Sequence, residues 1–237
     1  MNMTERGQAA MVWWALVTMV IFGLSMWLLM GMVPPPSADF SSAQVAAFYQ
    51  ASDLKIRFGA AICSWVSAFA VPLSVVITAQ MMRVDKGQLF WPMMQLAGGI
   101  LMSIFLVLPP LFWGVAAFNA HRAPDATSLM HELGMLTLTT TDQFYIFQNI
   151  AIAVFCFTKP ADPLSPFTRR LGYFTVWAAI MFELGALAFL FKTGPFAWNG
   201  LFVFWFPFVI YGTWISVTSY ALLGAISRQR HAVIQYA

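Results

Sequence analysis

Between residues 9 and 33 the chain carries no charged side chain, and Pro34-Pro35-Pro36 ends the run. A hydrocarbon core about 30 Å thick is crossed by roughly 20 apolar residues of helix. The run is therefore long enough to span a bilayer. It is too long for the hydrophobic region of a signal peptide, and only Arg6 and the amino terminus supply positive charge before it, so a retained span is expected. Five similar runs follow, at 56–82, 92–118, 133–158, 171–191 and 198–226, the fourth starting somewhere between 133 and 143. Lipid offers backbone groups no hydrogen-bond partner, so apolar spans of this length must be helices. The sequence predicts an all-α, polytopic transmembrane bundle of six spans, forming one domain over 1–237.

Composition agrees. Only 9% of the residues are charged, against about 25% in soluble domains. A soluble fold of this composition would expose large apolar patches and aggregate. The net charge of +3 comes with no basic run interleaved with aromatics, so nucleic acid is not an expected partner. Cys63 and Cys156 both fall inside apolar runs, near opposite membrane faces, which argues against a disulfide between them.

Lys and Arg set the orientation. Arg6, Arg83, Lys86, Lys159, Arg169, Arg170, Arg228 and Arg230 fall on one side of a six-span topology, and Lys55, Arg57, Arg122 and Lys192 on the other. The positive-inside rule puts the larger group, and with it both termini, in the cytoplasm. The two long connections, 34–54 and 119–142, are then external. Each contains a capped, amphipathic stretch, at 43–51 and 127–138, predicted to form a short interfacial helix over the outer end of the bundle.

Ionisable groups inside spans are costly and are candidates for function. Glu183 is the clear case, 12 residues into the fifth span. Asp142, Tyr145 and Gln148 or Asn149 recur at helical spacing, so one face of the fourth span is polar at its outer end. The fourth and fifth spans share a short connection and should be antiparallel neighbours. If their faces align, Asp142, Tyr145, Gln148, Asn149 and Glu183 form an outer polar pocket, with Arg57 as countercharge. Helix capping by Asp142 and interhelical hydrogen bonds from the two amides describe the same residues without a pocket.

Signatures of catalysis are missing. His131-Glu132 and His121 fit no zinc spacing, and no G-x-S-x-G, G-x-G-x-x-G or P-loop occurs. No cofactor is expected, and no catalytic residue is assigned. Prolines at 72, 109, 110 and 207 fall inside spans and should kink them. The last span carries aromatics on all faces, and the chain holds 15 Met and 23 Phe. Soft, aromatic surface of this kind suits a hydrophobic ligand.

The architecture, with the stretch Phe191-Lys192-Thr193-Gly194-Pro195-Phe196-Ala197-Trp198-Asn199-Gly200, resembles small uncharacterised bacterial inner-membrane proteins of six helices. The resemblance implies an inner-membrane location and no activity. The expected role is a non-enzymatic membrane component. It would bind a hydrophobic small molecule, or serve as a subunit of a membrane assembly or homo-oligomer. A proton-coupled carrier, or an enzyme on a lipid-like substrate, using Glu183 and Asp142, is the alternative.

Overall fold

The computed structural model describes residues 4–85, 88–141, 143–159 and 162–235. In chain order the helices are α1 (Glu5–Leu29), α2 (Ser42–Val84), α3 (Phe90–Phe118), α4 (Pro124–Thr140), α5 (Gln143–Thr158), α6 (Arg169–Phe189) and α7 (Leu201–Ala232). Among the described residues there is no strand. Five of these helices, α1, α2, α3, α6 and α7, are long and apolar enough to cross a membrane. Their outward faces carry large apolar groups. Trp13, Trp14, Trp27, Trp65, Ile180 and Val209 are each more than half exposed. Water would penalise such a surface, whereas lipid tails solvate it.

The 43 residues of α2 would measure about 65 Å as one straight helix. Ser52 breaks it, with φ −144° and ψ 27°. The expected short helix at 43–51 is thus the first arm of α2. It starts from a capping box in which Ser41 and Gln44 satisfy each other's backbone donors. Val45 and Tyr49 on this arm are buried.

The fourth run, expected to begin between 133 and 143, falls as two helices: α4 runs unbroken to Thr140 and takes in the short helix expected at 127–138, and α5 starts at Gln143. Thr139, Thr140 and Thr141 donate to the carbonyls of Met135, Leu136 and Thr137 at the end of α4, a back-bonding that weakens and bends a helix. Asp142 lies outside the described residues. The two pieces run in tandem along α3, α4 against Ser103–Phe118 and α5 against Phe90–Leu101.

Other helices change pitch as well. α1 ends in a π turn at Ser25–Leu29, α2 tightens to a 3-10 turn at Ser67–Phe69, α6 does so from Glu183, and α7 opens with a π turn at Leu201–Trp205. Pro72 and Pro207 lack the N–H that would bond Ala68 and Val203, which sit in two of these turns. α3 passes so close to its neighbours that side chains are excluded. A Cβ on Gly98 would meet backbone Gln148 N at 2.7 Å, and one on Gly99 would run into Ser74 Oγ.

The two ends of the bundle are tied differently. At the basic end Arg83 pairs with Asp162 at 3.3 Å and donates to Leu164 O, while Lys159 pairs with Asp85 at 2.8 Å. Gln80 and Gln229 exchange amide hydrogen bonds there, and Gln80 also reaches Gln8. At the opposite end Tyr49 Oη lies 3.0 Å from His131 Nδ1, Trp198 Nε1 donates to Pro36 O and Gln50 donates to Ala120 O. The loops at that end are thereby stitched to the first arm of α2 and to α4.

Candidate functional site: an aromatic cavity among the helix breaks

Where the helices change pitch they enclose a cavity of about 220 Å³. Every run except α5 contributes to its wall. Phe69 comes from the 3-10 turn of α2, Phe105 from α3, Thr139 from the end of α4, Phe182 from the last α turn of α6, and Phe204 from the π turn of α7. Phe69 and Phe204 are thus set by a local change of pitch, Phe105 and Phe182 by regular helix.

The wall is apolar. Its polar groups are the hydroxyls of Thr139 and Tyr211. Tyr211 stands at the centre of a ring cluster, its centroid 5.4 Å from Phe105, 5.9 Å from Phe182 and 5.5 Å from Tyr145. Tyr145 lies behind the wall, 4.7 Å from Phe182 and 5.3 Å from Trp214, and is fully buried. Trp214 is fixed in turn by its Nε1 donating to Thr175 Oγ1. Edge-to-face and tilted pairs of this kind each add about 0.5–1.5 kcal/mol beyond area burial. The wall therefore holds its shape without a ligand.

One side is open. Gly23 on α1 and Gly212 on α7 border the cavity, and a Cβ on either would find no atom within 4 Å. Phe208, on the same edge, is 41% exposed, so the gap leads to the outer flank between α1 and α7.

The residues singled out in the sequence are distributed as follows. Tyr145, Gln148 and Asn149 are buried on the inner face of α5. Tyr145 backs the cavity. Gln148 donates to Ser74 Oγ beside Gly99, where it joins α2, α3 and α5 as interhelical glue. Asn149 is buried one turn beyond Tyr145 on the same face of α5. Glu183 directly follows Phe182, whose ring enters the wall, and the turn of about 100–120° per residue carries its carboxyl to the exposed face of α6. Arg57 is exposed on α2 over the ring of Phe118. Among the described residues no hydrogen bond or ion pair joins Glu183 or Arg57 to Tyr145, Gln148 or Asn149, and Asp142 is not described. On α7, Thr213 and Ser216 are exposed and bond to their own helix, while Thr218 is buried and its hydroxyl finds no partner among the described residues. Among the described residues no three His, Cys, Asp or Glu side chains converge as metal ligands.

Sequence reasoning missed Phe22, Phe105, Phe182 and Tyr211 as wall residues. Aromatics on every face of the last span hide the inward subset. The better signal was Gly23 and Gly212, small residues amid bulky neighbours.

No known family model matches the chain, and no curated protein or solved structure is significantly similar to it.

Proposed function

We propose that the protein crosses a cell inner membrane six times, with both ends cytoplasmic, and binds a hydrophobic small molecule in the cavity between α1, α3, α6 and α7. In this topology α4 and α5 in tandem supply the sixth crossing, and the first arm of α2 lies with the opposite-end loops on the external surface. The eight-to-four division of Lys and Arg supports the orientation.

The observation that carries the binding role is an apolar cavity of about 220 Å³ with a glycine-bordered opening on the lipid-facing flank. An apolar cavity of about 150 Å³ stays dry and takes up benzene. This one has room for a larger ring system or a stretch of hydrocarbon chain. A ligand dissolved in the bilayer reaches it sideways, without crossing water.

Photolabelling tests this. A diazirine-bearing alkyl probe added to membranes should label Met19, Met26 or Phe208 peptides, and the double substitution Gly23→Leu/Gly212→Leu should remove that labelling. Equal labelling in both proteins would count against the cavity as the binding site.

A second role, subunit of a larger assembly, is favoured by Glu183. A carboxyl on a lipid-facing helix is costly unless covered, and Tyr173, Trp177 and Ile180 extend its exposed face as an apolar flank. The native cysteines are both buried, so an introduced Ile180→Cys reports contact alone. Oxidative crosslinking of copies through it supports self-assembly, and its absence in membranes removes the homo-oligomer.

A further inference from the structure

A second concavity lies away from the central cavity, on the outer flank between α2 and α3. It has a volume of about 440 Å³. Its walls are Phe58 and Leu54 on α2 and Leu111 and Val115 on α3, and its floor is small, formed by Ala60, Ala61, Ser64 and Gly114. The helices touch at that floor, where a Cβ on Gly114 would meet Ala60 Cβ at 2.9 Å. From Phe118 to Pro110 the groove runs about 12 Å along α3. Its length and apolar walls suit part of an acyl chain lying along the helices.

One end of the groove is charged. Arg57 borders it, with the guanidinium 5.3 Å from the centroid of Phe118. This end adjoins the Ser52 break in α2. Among the described residues Arg57 makes no ion pair. The nearest acid in sequence on the same helix, Asp53, accepts from Leu54 N instead. The Phe118 ring holds the cation at the groove's end without neutralising it. A guanidinium offers five donors in a fork that matches a phosphate.

We infer that this groove is a binding site for an anionic phospholipid of the surrounding bilayer, its acyl chain between α2 and α3 and its phosphate on Arg57. Charge selects this occupant over a second copy of the chain. An isologous contact through this groove would cover Arg57 in both copies with no acid in the groove lining to pair it, whereas a lipid phosphate neutralises it. The site is separate from the central cavity, and Gly23 and Gly212 take no part in it.

Native mass spectrometry in a neutral detergent tests the assignment, with phosphatidylglycerol, phosphatidylcholine of the same chains, and glycerol phosphate as probes. Wild-type protein should retain phosphatidylglycerol in preference to phosphatidylcholine and should not bind glycerol phosphate. Arg57→Gln should weaken phosphatidylglycerol about tenfold, as expected for loss of a charge-assisted hydrogen bond. Ala61→Phe, which fills the groove from an exposed position, should do the same with Arg57 intact. Circular dichroism should report unchanged helix content for both variants. Retention of phosphatidylglycerol at wild-type affinity by both variants overturns the proposal. So does binding of glycerol phosphate as tightly as the lipid, or a dimer that Ala61→Phe dissociates while lipid binding stays the same.

Discussion

The phenol oxygen of Tyr49 and Nδ1 of His131 lie 3.0 Å apart, joining the first arm of α2 to α4 across 82 residues of sequence. Both residues are fully buried, and the imidazole stands edge-on to Trp198 with ring centroids 5.8 Å apart. Removing the hydroxyl leaves a buried nitrogen unpaired, which costs about 1–3 kcal/mol, whereas replacing both partners by apolar groups is nearly neutral. Tyr49→Phe should therefore lower the thermal midpoint in detergent, and Tyr49→Phe/His131→Phe should recover much of the loss. Additive losses in the double variant would mean that the pair is not coupled.

The two kinds of glycine in the bundle should respond oppositely. A Cβ on Gly99 collides with Ser74 Oγ and the Gln148 amide, whereas one on Gly212 meets nothing within 4 Å. Overpacking of this kind costs about 1–3 kcal/mol, so Gly99→Ala should destabilise the protein. Gly212→Ala should be neutral or slightly stabilising, because alanine favours helix by about 1 kcal/mol over glycine. Thermal unfolding of the two variants side by side reads the difference. Equal losses would place Gly212 in a packed interface and close the proposed opening.

At the basic end the Arg83–Asp162 pair is about one-third exposed on both sides. Exposed pairs contribute about 0–1 kcal/mol, so Asp162→Asn should change stability little. Gln80→Leu should cost more, about 1–3 kcal/mol, because it leaves the buried Gln229 amide oxygen without its donor, although Gln229 Nε2 keeps Leu164 O. The same thermal assay ranks the two. A larger loss for Asp162→Asn would reverse the account of what holds this end.

Topology is open to direct measurement. Reporter domains fused after Lys55 and after Arg230 should report opposite sides of the membrane, with the second cytoplasmic. Both on one side would remove the six-span arrangement.

Helical class and membrane-crossing length were legible from the sequence because each depends on a local average. Runs such as 9–33 hold no charge, and that alone forces helix in lipid. Where the fourth run divides was legible only to within 133–143, since Thr137, Thr139, Thr140 and Thr141 blend into an apolar average, although the hydroxyls of the last three bond back into the end of α4. The site was harder still. Glu183 attracted notice as the one acid in an apolar run, yet the next residue towards the amino terminus, Phe182, is the one in the cavity wall. Which of two adjacent side chains points inward depends on helix phase at a change of pitch, and composition carries no record of phase. Tyr145, Gln148 and Asn149 were legible as a buried face because α5 keeps regular spacing through them.

The most direct test of the central claim is mass spectrometry of the small apolar molecules that leave native membranes with the purified protein. The account predicts a discrete lipophilic compound at near-stoichiometric amount with wild-type protein, and its loss from Gly23→Leu/Gly212→Leu at unchanged thermal stability. The same compounds in the same amounts from both proteins would contradict it.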